Sequence, residues 1–182
     1  APEETIRNFI QKIAPTETDS TLLEAYSLLS IRQWEQAEDR LRTVLDDQPS
    51  NSSATFGLVR ALLAQGKGTA ALAYINDFPS GSEIVAAQQL EPLATLFAAI
   101  ETNPNKHIDS TTDLETQYWQ SAKLLARGQY AAGLDGLLEI LRIDKKFKEN
   151  QPKSVILATF ALLGDEDPLT RDYRDELANV LF

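Results

Sequence analysis

The chain has 182 residues and a formal net charge of −10, from 27 acidic and 17 basic residues. That sign disfavours nucleic acids and anionic membrane surfaces as partners of the whole chain. Because the sequence contains no cysteine, it excludes disulfides, thiolate metal sites and cysteine redox chemistry within this chain. We expect neither a membrane span nor a signal peptide, since no apolar run has the required length or pattern.

Helical periodicity accounts for almost every segment outside the loops, and the alternation typical of strands is absent. The sequence therefore predicts an all-α fold. The opening segment, residues 1–15, ends at Pro15 and has one apolar stripe, formed by Ile6, Phe9, Ile10 and Ile13. We expect this stripe to be covered by the rest of the chain or by self-association through residues 1–14, because an exposed apolar stripe favours association.

The starts of three later helices can be predicted from capping residues. Two capping boxes are predicted, at Thr21 with Glu24 and at Thr112 with Glu115. Near the C-terminus, Asp167 is followed directly by Pro168, which predicts an acidic N-cap and a proline at the first helical position. This interpretation is favoured over a calcium-binding loop for the same residues.

The sequence repeats itself with a period of 34 residues, over about 18–51 and 52–85. The offset aligns Arg32, Trp34, Ala37 and Leu41 with Gly66, Gly68, Ala71 and Ile75. A third copy, over about 114–147, carries Gly128, Tyr130 and Gly133 in the corresponding places. The glycines allow the chain to reverse in few residues, and the small residues allow two helices to cross closely.

A helix–turn–helix unit of this length is typical of the tetratricopeptide repeat. The repeats are interrupted, because the third copy follows the second at an offset of 62 and leaves one extra helix and a polar loop at about 86–113. Two further helices are predicted at about 151–163 and 168–181, and we expect them to cover the open end of the stack. The predicted fold is an all-α solenoid of tetratricopeptide-like helical hairpins.

The C-terminal half contains three stretches, "GQYAAGLDGLLEILRID", "LLGDEDPL" and "YRDELANVLF", that resemble the chaperedoxins. These bacterial proteins join a thioredoxin-like domain to a tetratricopeptide-like domain. The resemblance is most specific over 117–182 and weakest over 50–110. It implies that residues 1–15 are the last helix and connector of a thioredoxin-like domain absent from this chain, and that 16–182 form the tetratricopeptide-like domain. Without that domain and its cysteine motif, no redox role is carried over.

The resemblance also implies a function. Chaperedoxins hold unfolded clients and pass them to folding chaperones such as the GroEL chaperonin and the DnaK system, in the bacterial cytoplasm. This chain would then be a protein-binding domain with chaperones and unfolded proteins as partners. The alternative is a generic scaffold for the assembly of another complex.

Residues of the first helix in each repeat are the candidates for a binding groove. By repeat register they are Leu22, Tyr26, Phe56, Arg60, Leu63, Tyr118 and Leu125. We predict that clients contact Tyr26, Phe56, Arg60 and Tyr118, because aromatic residues and arginine anchor interfaces. The alternative is that most of these side chains belong to the core. A clamp for a terminal carboxylate is not expected, because the lysines and asparagines it needs are missing.

The last predicted helix has two contrasting faces. Its apolar stripe, which we expect to pack on the preceding helix, consists of Leu169, Tyr173, Leu177 and Val180. The opposite face consists of Arg171, Arg174, Ala178 and Phe182. The chaperedoxin resemblance implies that this opposite face docks to the chaperonin; the alternative is that Phe182 folds back onto the body of the protein.

No set of residues in the sequence predicts catalysis. His107 is the only histidine, and the serines therefore have no other partner for a triad. The stretch "AQGKGTA" follows no strand and lacks the Walker spacing, so it is interpreted as the turn of the second repeat. We predict no enzyme activity, no metal site and no cofactor.

Overall fold

A computed structural model describes residues 16–105 and 112–182. These residues form ten α-helices and no strand: α1 Glu17–Ser30, α2 Trp34–Asp47, α3 Ser52–Ala64, α4 Gly68–Asn76, α5 Ile84–Gln89, α6 Glu91–Thr102, α7 Asp113–Ala126, α8 Tyr130–Ile143, α9 Gln151–Leu163 and α10 Pro168–Leu181. A short 3₁₀ helix, Phe147–Asn150, precedes α9. The predicted all-α solenoid is confirmed. The predictions for residues 1–15 and for His107 lie outside the described residues.

Three helical hairpins form the repeats: α1 with α2, α3 with α4, and α7 with α8. Each turn contains one residue with a left-handed backbone, at Arg32 (φ 59°), Gly66 (φ 73°) and Gly128 (φ 74°). In each turn the following backbone N–H donates to a carbonyl five residues earlier: Gln33 to Leu28, Lys67 to Leu62, and Gln129 to Leu124. This bond pattern closes helices that end with a left-handed residue.

The helices of each hairpin cross closely at the small residues that the sequence predicted. Ala37 and Ala71 are fully buried. A Cβ atom at Gly133 would lie 2.6 Å from the Leu125 side chain, which is too close for any residue larger than glycine without rearrangement.

Helix α6 explains why the second repeat has Gly68 where the others have Trp34 and Tyr130. A Cβ atom at Gly68 would overlap the backbone nitrogen of Ala98 in α6. Helix α6 packs along α4 and occupies the space that an aromatic side chain fills elsewhere. The interruption of the array is therefore a helix inserted against the second repeat.

The inserted segment contains two helices where the sequence predicted one. Leu90 separates the two helices, because it is the C-cap of α5 and the N-cap of α6. Pro92 lies in the first turn of α6. Proline is tolerated in a first turn, whereas inside a continuous helix its ring would clash with the carbonyl four residues earlier.

Helix α9 contacts α3, α5, α6 and α8, and it buries Ile156, Thr159 and Phe160 among them. Helix α10 packs mainly on α8 and not, as predicted, on the preceding helix. The Tyr173 hydroxyl, 2.7 Å from Asp135 Oδ1 and 3.1 Å from the Ala131 carbonyl, fixes α10 to α8.

The predicted helix starts are confirmed at α7 and α10 but wrong at α1. Thr112 Oγ1 accepts the Glu115 N–H, and Asp167 Oδ1 accepts the Leu169 N–H. The capping box of α1 is formed by Thr16 and Asp19, about one turn before the predicted Thr21 and Glu24. Thr21 lies inside the helix, where its hydroxyl donates to the Glu17 carbonyl.

Candidate functional site

A solvent-open groove runs along one face of α9. It consists of two clefts of about 610 Å³ and about 450 Å³, and Pro92 and Ser154 line both. The α9 residues of this face, Gln151, Ser154, Ala158 and Ala161, recur every three or four positions and are mostly small. We call this feature the α9 groove. Its floor, from Gln151 to Ala161, is about 15 Å long, because a helix rises 1.5 Å per residue.

The walls of the α9 groove come from the helices on either side. Helix α6 supplies Pro92, Thr95, Leu96 and Ala99, and helix α7 supplies Tyr118 and Trp119 at one end. At the other end the groove is bounded by Phe160 and by Arg174 of α10. Leu157 remains 48% exposed at its rim. The groove is therefore lined chiefly by apolar and small side chains.

Both ends of the groove carry a cation that is already paired. Lys148 Nζ is 2.8 Å from Glu115 Oε1 and lies 6.0 Å from the Tyr118 ring centroid. Arg174 pairs with Asp165 and lies 6.0 Å from the Phe160 ring centroid. Because these charges are neutralised by neighbours, the groove offers shape and apolar surface more than net charge.

Three of the four predicted client-binding residues, Tyr26, Phe56 and Arg60, come together as half-buried side chains. The Tyr26 hydroxyl donates to the Ser53 carbonyl at 2.8 Å, and the Arg60 guanidinium lies 5.9 Å from the Phe56 ring centroid. Arg60 Nη2 donates to the Leu162 carbonyl at 3.2 Å, at the C-terminal end of α9. All three side chains are half-buried, and burial raises the pKa of Tyr26 and lowers that of Arg60.

Tyr118 lies elsewhere, so the expectation that the four residues share one surface is wrong. Its side chain is 2% exposed, and its ring meets the Trp119 ring edge-on at 5.3 Å. Burial raises the pKa of Tyr118 to about 12. Leu63 and Leu125, the other groove candidates from the second and third repeats, are core residues. Repeat register places these side chains on the inner side of the array, and the structure shows that neighbouring helices bury this side.

The predicted docking face of α10 is exposed to solvent at all four of its residues, Arg171, Arg174, Ala178 and Phe182. Phe182 is fully exposed. Arg171 pairs with Glu166, as Arg174 does with Asp165, so acids of the α9–α10 loop neutralise both arginines. This face presents an aromatic ring beside paired charges.

The α9 groove was not predicted from the sequence. Helix α9 was predicted only to cover the end of the array. Because most of its residues are apolar, its pattern does not distinguish a groove face from a buried face. The sequence feature that could have indicated it is the spacing of Ser154, Ala158 and Ala161, three small residues on one face of a helix whose other side chains are mostly large. Nothing in the sequence indicates that α6 lies beside this face.

Other buried charge in the described residues has a structural partner. Glu38 is buried and accepts hydrogen bonds from Arg42, Gln65 and Lys67, at 2.8 Å for the shortest bond from each. Burial alone would raise the pKa of Glu38, but these three donors lower it.

Within residues 16–105 and 112–182 there is no group of three or more side chains suited to hold a metal ion. Among the same residues no helix combines the length and apolarity needed to cross a membrane.

Two family models of the tetratricopeptide repeat match this chain. One covers residues 22–81, which contain the first two hairpins except for the first turn of α1. The other covers residues 86–182, more than half of the 182 residues, and includes the α9 groove and α10. No curated protein matches the chain.

Proposed function

The chain belongs to the tetratricopeptide repeat family, and we propose that it is a non-enzymatic co-chaperone module that holds unfolded clients in the α9 groove and docks to a folding chaperone through α10. Tetratricopeptide domains are protein-interaction modules, so a protein partner is the expected ligand class. The proposal assigns two adjoining surfaces, which share Arg174, to two kinds of partner.

The observation that carries the proposal is the composition of the α9 groove. Leu157 is 48% exposed and Pro92 and Ala161 are partly exposed, so the groove offers apolar surface to solvent, and the two cations at its ends are paired. Covering apolar surface stabilises a complex by roughly 25 cal/mol for each Å² buried. A groove of this kind selects apolar side chains, which are what an unfolded protein exposes, and it needs no ATP to do so.

The chaperone partner is supported by the resemblance to the chaperedoxins, which is most specific in the segment that ends with α10. In those proteins the corresponding helix is implicated in docking to the chaperonin. Phe182, fully exposed beside Ala178, would supply the apolar anchor for such a contact. The partner is then a chaperonin or Hsp70-type chaperone of the bacterial cytoplasm.

The α9 groove can be tested by filling it. Ser154 is exposed and lines both clefts, so Ser154→Trp would obstruct the groove without disturbing the core. Ser27 is the matched control, because it is also an exposed helical serine whose hydroxyl donates to the carbonyl four residues earlier. A chemically unfolded test protein should aggregate more slowly with the wild-type chain and with Ser27→Trp, and Ser154→Trp should lose most of this effect.

The alternative function, a scaffold for another complex, predicts a different result. The wild-type chain would then fail to slow aggregation even at several-fold molar excess. Equal suppression by wild type and Ser154→Trp would instead keep client holding but remove the α9 groove as its site.

A further inference from the structure

Arg32 occupies a backbone conformation that favours glycine. Its φ of 59° matches the 73° of Gly66 and the 74° of Gly128, which hold the same place in the other two hairpin turns. A left-handed backbone is unfavourable for a residue with a Cβ atom. A strained residue at a position where glycine would fit indicates that the side chain serves a purpose.

The Arg32 side chain reaches across the molecule to the start of the last helix. Its Nη2 atom lies 2.6 Å from Asp167 Oδ2, although the two residues are 135 positions apart. The other oxygen of the same carboxylate accepts the Leu169 N–H at 2.9 Å and caps α10. The Asp167 side chain is only 11% exposed, whereas that of Arg32 is 53% exposed, so the pair is shielded from solvent on the carboxylate side alone.

The neighbourhood of this ion pair brings distant parts of the chain together. Arg32 and Leu169 line a small cleft with residues 128–132, which belong to the turn and first residues of the third hairpin. In an ordinary solenoid each repeat contacts only its neighbours. Here Arg32 of the first hairpin contacts the start of α10 and lines a cleft with the third hairpin.

We infer that the Arg32–Asp167 ion pair is a latch that couples the first hairpin to α10, so that local unfolding of α10 is opposed by a contact from the other end of the array. Glycine at residue 32 would relax the turn but could not form the latch. The inference goes beyond the proposed function, because it holds whatever partner α10 binds.

Hydrogen exchange of the α10 amides in the full chain tests the latch. Arg32→Gly should raise their exchange rates about fivefold, the effect of losing one partly shielded ion pair, while the α3 amides keep their rates. Asp167→Asn should act similarly, because asparagine still caps the helix but loses the charge. The double variant should match either single variant, since both changes break the same contact.

Arg40→Ala is the control, because it breaks the 3.1 Å ion pair with Glu24 inside the first hairpin. It should leave the α10 exchange rates unchanged. The latch is overturned if Arg32→Gly leaves the α10 rates at the wild-type value, if α3 accelerates as much as α10, or if the effects of Arg32→Gly and Asp167→Asn multiply in the double variant.

Discussion

At single positions, glycines of the same chain serve different purposes. Gly66 and Gly128 lie in turns with positive φ, whereas Gly68 lies in the first turn of α4 against the backbone of α6. The sequence could predict the first purpose, because the repeat places these two glycines between helices. It could not predict the second, because the contact with α6 exists only in the folded array.

Gly68→Ala should destabilise the protein by about 1–3 kcal/mol, because the new methyl group would overlap Phe97 and Ala98. Helix propensity alone would favour alanine by about 1 kcal/mol, so the sign of the change separates the two effects. Urea unfolding measures it. Gly128→Ala is the comparison: no atom lies within 4 Å of its Cβ position, and its cost comes from backbone strain alone. A stabilised Gly68→Ala variant would contradict the close packing of α4 and α6.

The Glu83 carboxylate provides a prediction about pH. It accepts hydrogen bonds from the Ser52 and Ser53 hydroxyls, both at 2.6 Å, which lower its pKa from 4.5 to about 2. A pKa that is lower in the folded state stabilises the protein above pH 4.5 and loses this contribution as the pH falls toward 2.

Glu83→Gln should therefore lower the free energy of unfolding at pH 7, by less than about 1 kcal/mol because the site is open to solvent. The difference between wild type and variant should shrink between pH 5 and pH 2. Thermal melts across this range measure it, and a difference that stays constant with pH would show that the carboxylate charge is not responsible.

At the scale of helices, periodicity predicted most elements, and the errors have specific causes. Helices α5 and α6 were expected to be one helix, although Pro92 marked the break. The exposed face of α10 followed from the angular spacing of its residues, and all four of them are exposed. The partner of its apolar stripe did not follow, because nothing local in the sequence distinguishes α8 from α9 as the supporting helix.

Phe182→Ala should change the free energy of unfolding by no more than about 0.5 kcal/mol, because the ring is fully exposed. If α10 docks to a chaperonin, the same substitution should weaken that binding by about 2 kcal/mol, or some thirtyfold. A thermal melt and a titration on the same variant give both values. Leu23→Ala, a truncation of another exposed apolar side chain, is the control and should leave chaperonin binding unchanged.

Across the whole molecule, the helices make contacts beyond those between neighbouring repeats, which are the only ones that an ordinary solenoid needs. Helix α9 lies against α3 and α6, with Arg60 bonded to its C-terminal end, and Arg32 joins the first turn to α10. The 34-residue period predicted the hairpins but not these further contacts, since the two polar ones, Arg60 with Leu162 and Arg32 with Asp167, link residues more than 100 positions apart. Because α9 packs against the inner side of the array, the candidate site is the α9 groove and not the surface of the first two repeats.

We propose that the α9 groove and the exposed face of α10 bind two different protein partners, and one crossed binding measurement tests this most directly. The immobilised chain would be titrated separately with a neutral amphipathic peptide of about 10 residues, matched to the roughly 15 Å groove, and with the chaperonin. Ser154→Trp should weaken peptide binding at least tenfold and leave chaperonin binding unchanged, and Phe182→Ala should do the reverse. Loss of both activities in either variant, or of neither activity in both variants, would contradict the account.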